Sequence, residues 1–79
     1  MNALKTKNGS LTPYAFACGY IEQVELRGVR TTLWLEGTWH VRQHNFNTHE
    51  RVFWDSFDTL GAARKRYEQA VKAVKGQGG

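Results

Sequence analysis

His40, Arg42 and His44 stand on alternate positions of the stretch WHVRQHNFNTHERVFW, residues 39–54, and His49 follows a few residues on. Histidines at short spacing invite a metal site or a general base. On an extended chain, however, His40 and His44 lie roughly 13 Å apart, too far to share one zinc ion. The thiol of Cys18, the one cysteine of the chain, could act as a nucleophile only with a histidine beside it. It has no partner for an internal disulfide or a CxxC pair, and it falls among bulky alternating residues where a thiol behaves as a small hydrophobe. Glu22 and Glu25 read as exposed on opposite faces, and Asp58 reads as a helix N-cap close to Asp55, so no carboxylate pair is set up for acid–base work. The eight glycines are scattered or terminal and build no phosphate loop. These patterns predict neither catalysis nor a metal nor a cofactor.

The same residues take on a different meaning once the elements that hold them are read. From Val29 to Leu35 the chain alternates, with Thr31, Leu33 and Leu35 on one parity and Arg30, Thr32 and Trp34 on the other. This is the period-two signature of a strand with two unlike faces. Glu36-Gly37 is a turn signal, Thr38 to His44 a further strand, NFNTHE a loop, and RVFWDSF a strand rich in aromatic and branched residues. Upstream, Tyr14, Phe16, Cys18 and Tyr20 alternate with small residues, and Val24 and Leu26 continue the parity, which predicts a long first strand from Tyr14 to Leu26. Downstream of Asp58, Leu60, Ala63, Tyr67, Ala70, Val71 and Val74 recur at spacings of three and four, the pattern of an amphipathic helix. Residues 1–12 read as a flexible lead-in, residues 13–75 as a single domain, and residues 76–79 as a flexible tail. The fold class expected is α+β: a four-stranded antiparallel β-meander with one C-terminal α-helix on one face.

One helix covers one side of such a sheet, so hairpin register decides what the other side shows. A two-residue Glu36-Gly37 turn would set Leu33 against His40 and mix the faces. One more residue in the loop sets Leu35 against Trp39 and Leu33 against Val41 on the core side. It also sets Trp34 against His40, Thr32 against Arg42 and Arg30 against His44 on the open side. The second register is preferred, because burying an unpaired imidazole or guanidinium costs several kcal/mol. The candidate partner-binding residues are therefore Arg30, Trp34, His40, Arg42 and His44. Phe57 is assigned to the core, Trp54 is a possible second aromatic of the open face, and Arg64, Lys65 and Arg66 on the helix form a possible secondary basic surface.

Length and composition bound these expectations. Seventy-nine residues, 41% hydrophobic and 23% charged, with three Trp, three Tyr and four Phe, suffice for one small core and are too apolar for a disordered chain. A net charge of +4 and a pI near 9.6 suit nucleic acid or an acidic protein surface. The first twenty residues carry no apolar block of signal-peptide length, and no run approaches a membrane span, so a cytoplasmic protein is expected.

WHVRQH, RVFWDSF and LGAARKRY together resemble small proteins of phages and integrating elements, in which an aromatic-His-Val-Arg hairpin precedes a Trp-x-x-Phe strand end and an Ala-Arg helix. The resemblance spans roughly residues 13–75 and implies stoichiometric binding rather than catalysis, with anti-CRISPR proteins as one group of that kind. The expected function is an inhibitor that binds a host protein complex, a CRISPR effector among the candidates, through the basic-aromatic face. The alternative is a small nucleic-acid-binding protein using that face and the basic helix. A homodimer that hides the open face is a third possibility.

Overall fold

Alternating bulky and polar side chains from Val29 onward build three long strands, and the loops between them are short enough to keep neighbours antiparallel. In the computed structural model, which describes residues 4–76, the order is α1 (Pro13–Ala17), β1 (Glu22–Leu26), β2 (Val29–Glu36), β3 (Thr38–Asn45), β4 (Glu50–Phe57) and α2 (Leu60–Gly76). The strands form one antiparallel sheet in the order β1-β2-β3-β4, with α2 packed across it, and the fold is α+β. Of the lead-in and tail read from the sequence, residues 1–3 and 77–79 lie outside the described residues. Residues 4–12 turn back on themselves, with Thr6 N–H bonded to Ser10 O at 2.7 Å and Thr12 N–H to Leu4 O at 3.0 Å.

The long first strand is corrected by the structure: residues 13–17 are helical and only Glu22–Leu26 is extended. Thr12 caps α1 by accepting from Ala15 N–H, Pro13 opens the helix with its fixed φ, and Gly19 at φ +93° lies just past its end. The apparent face of Tyr14, Phe16, Cys18 and Tyr20 is thereby dispersed. Phe16 is buried, whereas Tyr14, Cys18 and Tyr20 are exposed, so Cys18 is no inward strand residue. A second correction concerns α2. Its cap is Thr59, whose hydroxyl accepts from Ala62 N–H at 3.2 Å, one residue beyond Asp58.

Both helices and residues 4–12 gather on one side of the sheet. Leu11, Ala15 and Phe16 meet Leu33, Val41, Ala63 and Tyr67 in one core, with Leu35, Trp39, Phe53 and Phe57 packed around it. The Phe16 and Trp39 rings meet edge to face, their centroids 5.2 Å apart. Gln43 is buried here too, and its amide donates to Thr31 Oγ1 at 3.1 Å and to Ala70 O of α2 at 3.3 Å, so its polar group is satisfied. Glu22, read from the pattern as exposed, is instead partly buried. Its carboxylate accepts from Arg64 at 3.0 Å and from Leu11 N–H at 3.0 Å, while Arg64 also donates to Leu11 O at 2.8 Å. This network ties the N-terminal segment to β1 and α2.

Candidate binding face

The β2–β3 pairing has the preferred register throughout: Leu35 faces Trp39, Leu33 faces Val41, Trp34 faces His40, Thr32 faces Arg42 and Arg30 faces His44. Gly37 alone forms the bend, at φ +74°, a left-handed conformation that suits glycine. Leu33 and Val41 are fully buried under the helices. Arg30, Trp34, His40, Arg42 and His44 are consequently brought together on the side that α1 and α2 leave uncovered. In β4, Phe53 and Phe57 lie on the core side with Asp55, and Trp54, paired with Arg42, joins the open face.

The centre of this face is a packed cluster of rings. His40 stacks on Trp34 with centroids 5.0 Å apart and 25° between planes, and Trp54 tilts against Trp34 at 5.4 Å. The Arg42 guanidinium lies 5.2 Å from the Trp34 centroid and 5.6 Å from that of Trp54. Electron-rich ring faces hold a cation there without neutralising it. His40 is fixed by its hydrogen bonds. Glu36 O can only accept and lies 3.0 Å from Nε2, so Nε2 carries the proton; Nδ1 accepts from Trp54 Nε1–H at 3.3 Å and lies 3.0 Å from the Ser56 hydroxyl.

Beyond the rings, toward the β3–β4 loop, the face dips into a cleft of about 240 Å³. Arg30, Arg42 and Arg51 supply its charge, His44, Phe46 and Trp54 line it with rings, and Thr32 completes the lining. None of these residues is acidic. Arg30 is paired with Glu25 at 3.1 Å on the exposed rim, whereas Arg42 and Arg51 have no carboxylate partner among the described residues. Arg51 leans on Trp54 at 5.5 Å, and Arg30 on Phe46 at 4.9 Å.

Two features put Arg51 and Phe46 where they are. The β3–β4 ladder shifts register between Gln43 and His44, so that Phe53 still pairs with Gln43 but Arg51, not Val52, pairs with His44. This bulge turns Arg51 onto the open face. The loop carrying Phe46 is pinned to the β1–β2 turn: Phe46 N–H bonds to Gly28 O at 2.8 Å and Asn47 Nδ2 to Arg27 O at 2.9 Å, over Gly28 at φ +77°. Strand parity gives no hint of either residue's role. The stretch from His40 to Thr48 holds no acidic residue, a signal that agrees with the basic net charge in pointing toward an anion.

The helix cations do not join this face. Arg64 belongs to the Glu22 network on the covered side, and Arg66 pairs with Asp55 at 3.0 Å while lying 3.8 Å from the Phe53 centroid. Lys65 is exposed on α2. Cys18 sits at the end of α1, where its hydrogen bond raises the Tyr14 hydroxyl above the ordinary tyrosine value. No helix of the described residues is long and apolar enough to cross a membrane, and among them no group of three acidic, histidine or cysteine side chains gathers as for a metal ion. Comparison with family models, curated proteins and solved structures gives no match.

Proposed function

We propose that this chain is a non-enzymatic binding protein that occupies a host macromolecular complex stoichiometrically through its uncovered sheet face. One observation carries the reading. Trp34, His40, Arg42 and Trp54 are already assembled against one another on a face that neither helix covers. Ordering long side chains on association costs free energy, and rings braced in this way have largely lost that freedom before the partner arrives. Aromatic and arginine side chains also dominate the energetic centres of interfaces, and an unopposed positive charge steers an acidic partner toward them. A CRISPR effector is the complex to which the resemblance to mobile-element proteins points, and inhibition by occupancy is the corresponding mode of action.

The test is capture of the partner from host lysate by the immobilised chain, with identification of what is held, comparing the native sequence with Trp34→Ala plus Arg42→Ala. Loss of the specific partner in the double variant is expected. Undiminished capture would remove the face from the interface. A solution mass of twice the chain's, with Trp34 protected from solvent in the dimer, would replace this reading with self-association.

A second reading, a nucleic-acid-binding protein, is favoured by the carboxylate-free cleft beside Arg51. Salt separates the two. Contacts to phosphates release counterions, so affinity falls log-linearly and steeply with salt, whereas an aromatic-centred protein interface weakens less.

A further inference from the structure

We infer that the cleft between Phe46 and Trp54 receives one phosphate of a single-stranded nucleic acid, with the adjoining base laid against an exposed ring wall. This rests on the reading of the uncovered sheet face as the contact surface, and it names the chemistry of what that surface meets.

Charge matching comes first. The guanidiniums of Arg30, Arg42 and Arg51 converge on one cleft beside the His44 ring, and among the described residues only Arg30 of these three has a carboxylate partner, the exposed Glu25. A carboxylate and a backbone phosphate each carry one negative charge, but an isolated carboxylate offers two oxygens in one plane and brings no regular series of further charges with it. A phosphate accepts hydrogen bonds around several oxygens, and its neighbours along the strand continue the charge past the cleft.

Shape comes second. At about 240 Å³ the cleft is smaller than the roughly 300–1,000 Å³ of pockets that enclose drug-sized ligands. It suits a single charged group with part of the unit attached to it. The walls are rings whose residues remain exposed, Phe46 at 41% and Trp54 at 44%. Unpaired bases offer flat faces to such rings, whereas in a duplex those faces are already stacked on one another. Arginine braced on an indole, as Arg51 and Arg42 are on Trp54, holds its fork in place for phosphate oxygens.

The experiment is a fluorescence anisotropy titration of the full chain with a labelled oligodeoxythymidine of about twelve residues, set beside the same strand in duplex and beside poly-glutamate, from about 50 to 300 mM salt. The single strand is expected to bind most tightly. Arg51→Ala lowers the salt slope by about 0.7, the value for one phosphate contact on a single strand. Phe46→Ala or Trp54→Ala weakens binding about fivefold or more. Lys75→Ala, on the far end of α2, leaves affinity as it was. Tighter binding of duplex, equal binding of poly-glutamate, or indifference to both ring variants overturns the inference. If the oligonucleotide does not bind while the Trp34 and Arg42 double variant still abolishes capture of the host partner, this inference falls and the proposed contact surface stands.

Discussion

The indole N–H of Trp54 points at Nδ1 of His40, 3.3 Å away across the β3–β4 ladder, while the other nitrogen of that imidazole is held by Glu36 O at 3.0 Å. An indole can only donate and a carbonyl can only accept, so the two contacts together select one tautomer and orient the ring on which Trp34 stacks. The aromatic centre of the open face is thus set by polar contacts along the edges of its rings.

Replacement of His40 by Phe keeps the stack and removes both nitrogens. A stability loss of about 1 kcal/mol is expected, the ordinary net worth of such hydrogen bonds, together with faster solvent exchange of the Trp54 indole proton. Nitrogen NMR of the native chain is expected to show the Nε2-protonated form. An Nδ1-protonated ring would contradict the assignment.

Gly28 holds two turns together. A Cβ at this position would come within 2.7 Å of the Asn47 amide, and the backbone sits at φ +77°. Gly28→Ala is therefore expected to cost about 1–3 kcal/mol, as strained left-handed backbone and displaced contacts do, and to loosen Phe46 from the cleft. Gly28→Ala with Asn47→Ala relieves the clash but not the φ, so denaturation is expected to show partial recovery.

Tyr67 is 7% exposed in the core, and burial, reinforced by the Glu22 carboxylate and opposed by Arg64, pushes its hydroxyl up to about 12 from the ordinary 10.0. Between these values the unfolded chain has lost the proton while the folded chain keeps it. The unfolded state binds fewer protons there, so stability falls as pH rises through this window and levels off above it. The loss is at most about 3 kcal/mol. Tyr67→Phe is expected to flatten the difference between urea midpoints at about pH 9 and about pH 11.5 that the native chain shows.

Arg64 stitches Leu11, β1 and α2, and its side chain is only 20% exposed. Arg64→Ala is expected to cost about 2 kcal/mol, more than an exposed ion pair is worth, because Leu11 O loses its side-chain donor and the Glu22 carboxylate keeps only the Leu11 N–H in a partly dry site. Lys65→Ala next to it is expected to stay within about 0.5 kcal/mol. Thermal melts of the two variants measure the contrast, and comparable losses would show the network to be idle.

Much of this architecture is legible in the residue pattern because faces of unlike character leave few registers open. Leu33 and Val41 must share a side, and once they do, Trp34 is bound to oppose His40. The same rule misleads upstream, where Tyr14, Phe16 and Tyr20 alternate with alanines that suit a helix as well as a strand; the Thr12-Pro13 start is the local signal that decides for the helix. Arg51 and Phe46 escape the pattern for a different reason. Period-two counting from Phe57 assigns Arg51 to the core side, and no count assigns a loop residue such as Phe46 to any side. The helix cations illustrate a further limit, since charge alone does not distinguish Arg64, held by Glu22, from Lys65 in solvent.

The extra residue at Val52 works as a half-step slip in the strand's phase. Toward its end β4 keeps time with the hydrophobic interior through Phe53 and Phe57; before the slip it keeps time with the outer surface through Arg51. Without that slip, a guanidinium would be turned toward the apolar layer and the cleft would lose a corner. One short ribbon therefore answers to two constraints, and changes in its first residues can retune what the surface attracts while the interior packing is left alone.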